Sequence, residues 1–155
     1  MNKNDKDTTM NFYEFLMQQN KKKDEYKFDA SATIAKFKAL IEEFYKKIDA
    51  EWLSGYLSND LVKTGLEPIS ITEERLGTYQ VNSKWIEIAG KRISIIPVGT
   101  VLIGTDARFD ISYGGNERMV IHNGSEWKLF RRDQRVSSKT IDATVFQNLI
   151  VELMS

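Results

Sequence analysis

The 155-residue chain has no cysteine and a single histidine, His122. Without cysteine there is no disulfide, no thiolate metal site and no cysteine nucleophile. With one imidazole, a serine–histidine mechanism must run through His122 or do without one. A protein-made zinc site would need mostly carboxylates, an unusual donor set. Net charge is lacking too: 22 Lys+Arg balance 22 Asp+Glu, so no global field draws the chain to nucleic acid or anionic lipid. No apolar run approaches the ~20 residues that span a bilayer, and the opening MNKNDKDTTM lacks the apolar core of a secretory signal. The expectation is a soluble cytoplasmic protein with no membrane role. The sequence also lacks a Gly-x-Ser-x-Gly elbow, a Gly-rich phosphate loop and a His-x-x-x-His pair.

What remains is an ordinary globular composition, 41% hydrophobic and 28% charged. A chain of this length buries about 70% of its unfolded surface, which supports a core without staples. Residues 1–9 read as a disordered tail and residues 10–155 as one α+β domain. In it, 10–60 are helical, 66–132 form the sheet and 142–154 a C-terminal helix.

In NFYEFLMQQ, Asn11 and Glu14 have the spacing of a capping box. Phe12, Phe15 and Leu16 share one side of a short helix, with Tyr13 and Met17 widening it. The charged stretch KKKDEYKFD that follows reads as a connector. Asp29 or Ser31 can cap a second helix, in which Ile34, Phe37, Ile41, Phe44 and Ile48 recur at alternating spacings of three and four. Trp52 and Leu53 extend the pattern, and Gly55 with Ser58-Asn59-Asp60 ends it.

From about residue 66 the period becomes two. WIEIAGKRISI reads as a hairpin turning at Gly90-Lys91, with Ile88 facing Ile93 and Ile86 facing Ile95. VLIG, ARFDISY, RMVIH and EWKLFR supply further strands, the last three joined by turns at Gly114-Gly115 and Asn123-Gly124. SSKT closes the sheet. Thr140 or Asp142 then caps a helix with Val145, Phe146, Leu149, Ile150 and Leu153 on one face. The expected architecture is two N-terminal helices, an antiparallel meander of about six strands, and a C-terminal helix packed on the sheet.

Asp106, Arg108 and Asp110 alternate along one strand. With two-residue turns, Phe109 lies opposite Val120 and Val120 opposite Trp127, a buried apolar row. Asp106, Arg108 and Asp110 then share the outer, solvated face, with Arg108, Ile121 and Glu126 in one row and Asp110, Met119 and Lys128 in the next. Asp110 followed by Glu126-Trp127-Lys128 resembles the metal-binding set of the restriction-endonuclease-like nucleases. There, two carboxylates hold a divalent cation and the lysine steadies the attacking water. That resemblance implies metal-dependent phosphodiester cleavage through Asp110, Glu126 and Lys128. A strand over 118–122 separates the Asp from the Glu-x-Lys, where the family joins those elements directly. We expect no metal and no cofactor, and His122 as a strand-end histidine with one hydrogen bond.

The thin catalytic inventory and the ample aromatic surface favour a non-catalytic protein-binding module: an adaptor, an inhibitor or an immunity-type protein. Its partner is expected to be another protein. Met119, Ile121, Trp85, Ile96 and Phe130 fall on the sheet face opposite the isoleucine row and form an apolar patch if helices cover only one face. Trp85 and Phe130 are the anchors there, with Arg131 and Arg132 at the rim. NFYEFLMQQ is too short to be a stable helix alone. It must dock on its own sheet or in a partner's groove through Phe12, Phe15 and Leu16. The basic run Lys128, Arg131, Arg132, Arg135 and Lys139 would serve a nucleic-acid accessory role, which zero net charge disfavours.

Overall fold

The computed structural model describes residues 11–25, 29–100, 106–131 and 134–155, the side chains of 20–25, 131 and 134–137 apart. The expected tail 1–9 and the strand VLIG fall outside these residues. The chain divides into two compact units, Met1–Ala30 and Ser31–Ser155.

In the first unit, α1 spans Phe12–Glu25. Asn11 caps it: its Oδ1 accepts from the Glu14 amide at 2.8 Å, and its carbonyl accepts from the Phe15 amide. The connector reading of KKKDEYKFD fails over KKKDE, through which the helix runs; residues 26–28 lie outside the described residues. Lys and Glu are good helix formers, so a charged stretch continues a capped helix as readily as it ends one.

The next helix, α2, spans Ala30–Lys47, all but its first residue in the second unit, and buries Phe37, Ile41, Phe44 and Tyr45. It widens into a π-turn over Ile48–Trp52, closed by the Leu53 amide on the Ile48 carbonyl at 2.9 Å. The wider turn brings Trp52 and Leu53 into the core beneath Ile48. A single turn, α3 (Ser54–Leu57), follows. The Ser58 hydroxyl and the Asn59 amide donate to the Gly55 carbonyl and close it.

Seven strands form one antiparallel meander in chain order: β1 Val62–Glu73, β2 Gly77–Ile88, β3 Lys91–Gly99, β4 Ala107–Tyr113, β5 Asn116–Asn123, β6 Glu126–Arg131 and β7 Gln134–Thr140. The sheet is therefore longer at both ends than the 66–132 expected. The segment read as closing the sheet, SSKT, belongs to β7, where Lys128 pairs with Thr140 and Phe130 with Ser138. Asp142 caps α4 (Ala143–Met154), its Oδ1 accepting from the Val145 amide at 2.8 Å.

Helices α2 and α4 pack on the same sheet face and close one core. Phe44 stacks on Trp127 with ring centroids 4.6 Å apart and lies 4.6 Å from Phe109. Trp52 meets Phe146 at 5.1 Å. The Gln147 amide donates to the Trp52 carbonyl at 2.8 Å, tying α4 to the π-turn.

Two registers differ from expectation. The β2–β3 turn is Ala89-Gly90, both at positive φ (53° and 77°), so Ile88 pairs with Lys91, Ile86 with Ile93 and Lys84 with Ile95. A two-residue turn with both centres left-handed matches the strand twist, and Gly90 fits its second position rather than its first. The isoleucines keep their expected face. At the β5–β6 turn, Gly124-Ser125 occupies the turn, so Asn123 pairs with Glu126, His122 with Trp127 and Val120 with Leu129. Phe109 does pair with Val120, and Phe109, Val120 and Trp127 are all buried. On the outer face the rows become Arg108, Ile121 and Lys128, and Asp110 beside Met119.

Candidate functional site

The acidic set seen in the sequence is dispersed. Asp110 accepts from Arg108 Nε at 3.2 Å and Nη2 at 3.3 Å on its own strand. Glu126 pairs with Lys128 at 3.6 Å. Asp110 lies beside Ile96 and Met119, and Glu126 lies beside Asn123 at the far turn. Among the described residues, no three His, Asp or Glu side chains group as metal ligands.

Asp106 is not on the outer face. It precedes β4, so strand alternation does not govern it. Its carboxylate sits 3.1 Å from His122 Nδ1, accepts from the Gly124 amide at 3.1 Å, and reaches Lys36 of α2 at 3.4 Å. Burial works against its charge, but the bonds from His122, Lys36 and Gly124 outweigh it and hold the carboxyl below its ordinary 3.8. His122 is buried against the Trp127 ring at 4.5 Å. The arrangement ties α2 to the adjoining ends of β4 and β5.

Lys84 and Glu73 are among the buried polar groups that escaped the sequence reading. Lys84, 3% exposed, pairs with Asp49 of the π-turn at 3.0 Å and lies 5.5 Å from the Tyr45 ring centre. Thr64 donates to the other Asp49 oxygen. Its position was legible: Lys84, Ile86 and Ile88 share one strand face. Glu73 accepts from the Tyr79 hydroxyl, and from the Thr100 amide at 2.9 Å and hydroxyl at 3.1 Å. Gly99 sits at φ 142°, where glycine is favoured, and a Cβ there would approach the Glu73 carboxylate to 2.7 Å. Burial, then the bond to Glu73 and its charge, push the Tyr79 phenol up. Burial alone raises Tyr45.

Among the described residues, no helix of this unit lies on the outer sheet face, since α2 and α4 belong to the apolar cluster opposite. Trp85 lies there, folded over Gly65, whose Cβ would meet the indole at 2.2 Å. The Arg92 guanidinium stacks 3.9 Å above the same ring. Trp85, Met119 and Phe130 are half-buried, Ile121 is buried, and Ile96 and Val98 are exposed. The Arg131 side chain and Arg132 lie outside the described residues, as does the Arg135 side chain.

In α1 the apolar residues stand open: Phe12 is 74% and Tyr13 70% exposed, and Phe15, Leu16 and Met17 are about half exposed. Phe12 and Phe15 stack at 6.5 Å, bringing together two of the three expected anchors.

A cleft of about 510 Å³ lies between α2 and the β1–β2 hairpin, lined by Lys38, Ile41, Glu42, Tyr45, Leu66, Pro68, Gln80, Val81 and Asn82. It opens where the hairpin twists enough to change the face it buries. Val62, Lys84 and Ile86 point inward at one end, and Ile71, Glu73, Tyr79 and Val81 at the other. The Tyr45 hydroxyl donates to the Asn82 carbonyl at 2.7 Å across its base. Nothing in the sequence marks this cleft, because it depends on twist and not on spacing.

No family model, no curated protein and no solved structure matches the chain. Among the described residues, no helix is long and apolar enough to cross a membrane.

Proposed function

We propose that the protein is a non-catalytic protein-binding module, an adaptor, inhibitor or immunity-type protein, that engages its partner through α1. The observation that carries this reading is the run of exposed apolar side chains Phe12, Tyr13, Phe15, Leu16 and Met17 on a capped helix. An amphipathic helix laid in a partner's groove uses anchors at such spacings, and aromatic anchors supply most of the binding energy in such contacts. The outer sheet face, with Ile96 and Val98 exposed and Phe130 half-buried, is the second surface available to the same partner. Its apolar area is interrupted by the Arg108–Asp110 pair, so it ranks below α1.

The test is affinity capture from the source cell with the intact chain and with Phe12→Asp/Phe15→Asp. The variant should lose the captured protein while its melting temperature stays within about 2 °C, the range of a surface change in a domain of this size. Retention of the partner by the variant, or a large drop in melting temperature, would refute the role given to α1.

A further inference from the structure

Four polar side chains line the cleft between α2 and the β1–β2 hairpin: Lys38 and Glu42 on the helix wall, Gln80 and Asn82 on the strand wall. None of the four side chains hydrogen-bonds or ion-pairs with another described residue. Lys38 and Glu42 stand one helical turn apart, but with lysine preceding glutamate, the weaker orientation for pairing on a helix. They present a separated plus and minus charge to the cleft. The floor between the walls is apolar: Ile41, Tyr45 and Val81 are buried, while Leu66 and Pro68 stand exposed at the lip. The volume lies within the ~300–1,000 Å³ range of ligand pockets, and an apolar floor with a few convergent polar groups is their usual make-up.

Spacing selects the occupant. Four helical residues advance about 6 Å along the axis. In an extended polypeptide, side chains on the same side recur every two residues, about 6.6–6.8 Å. An extended segment can thus set one acidic and one basic side chain against Lys38 and Glu42. The residue between them then points to the opposite wall, toward Leu66 and Pro68. Side-chain amides such as Gln80 and Asn82 can both donate to and accept from a peptide backbone. We infer that this cleft binds an extended segment of a partner polypeptide with the pattern acidic–apolar–basic, read in either chain direction. The inference rests on the protein-binding reading above and adds a second, sequence-selective contact to it.

The probes are capped synthetic peptides with a central Asp-Leu-Lys, Lys-Leu-Lys or Asp-Leu-Asp between Gly-Ser flanks, titrated into the full chain and followed by heteronuclear NMR. Asp-Leu-Lys should perturb the amides around Lys38, Glu42, Leu66, Gln80 and Asn82. The two like-charged peptides should bind about two- to five-fold more weakly, as expected for exposed charge pairs. Lys38→Glu lies on the exposed side of α2 and should reverse the order, favouring Lys-Leu-Lys. Absence of perturbation at these residues, or an unchanged order in Lys38→Glu, would overturn the inference. The two proposals fail separately. Loss of partner capture in Phe12→Asp/Phe15→Asp with no peptide bound at the cleft sinks only the cleft. Peptide binding at the cleft with capture unaffected by those α1 changes sinks only the α1 reading.

Discussion

Trp127 meets three rings at once, those of Phe44, Phe109 and His122, and is 4% exposed. Trp127→Ala should cost about 3–5 kcal/mol in denaturant unfolding, the range for a large ring lost from a packed core. A loss below about 1 kcal/mol is a surface value and would mean the ring is not core. Asp106 makes a claim about pH. Its folded carboxyl is held below the ordinary 3.8 of the unfolded chain, so the folded state favours the charged form. That contribution is fully present above the ordinary value and fades as pH falls through the lower, folded one. Asp106→Asn should therefore lose more stability at about pH 6 than at about pH 3. An equal deficit at both would show that the carboxylate's charge contributes nothing. At this scale the sequence was read well where a residue belonged to a strand and poorly just outside one. Phe109 and Val120 followed alternation into the core, while Asp106, one position before β4, turned instead to His122 and Lys36.

Elements were legible by face more than by pairing. Ile86, Ile93 and Ile95 share the buried face that their period of two requires. Their partners shifted because the turn occupies Ala89-Gly90, and choosing between adjacent two-residue turns takes the backbone angles. Ala89 sits at φ 53°, a region that costs an ordinary L-residue about 1–2 kcal/mol. Ala89→Asn, the preferred residue before glycine in this turn type, should raise stability by about 1 kcal/mol in urea unfolding. A destabilised variant would refute the turn assignment. The π-turn over Ile48–Trp52 was invisible in the residue pattern, since Trp52 fits an ordinary helical spacing from Ile48. Only the burial of Trp52 and Leu53 together requires the wider turn. β7 was missed for a different reason. QRVSSKT carries too few apolar residues to alternate, and it pairs because β6 offers it an edge.

For the whole molecule, the α+β plan followed from the order of periods along the chain, helical, then alternating, then helical. The cleft did not, because a concavity arises from how twisted elements meet. The meander also carries a consequence for how the protein is made. Every strand pairs with its neighbour in the chain, so during synthesis each new strand finds its partner already present, the local connectivity that favours rapid folding. The core is completed differently. Phe146 on Trp52, Gln147 on the π-turn carbonyl and Glu152 on the buried Arg118 all come from α4, which is synthesised after every strand. Until α4 emerges, the inner face of a finished sheet stays partly uncovered, and a nascent chain stalled there would offer apolar surface to chaperones. Chains ending at residue 140 should accordingly keep protected hairpin amides in hydrogen exchange yet bind a hydrophobic dye and lose cooperative melting. Cooperative melting of such chains would show that the sheet and α2 suffice without α4.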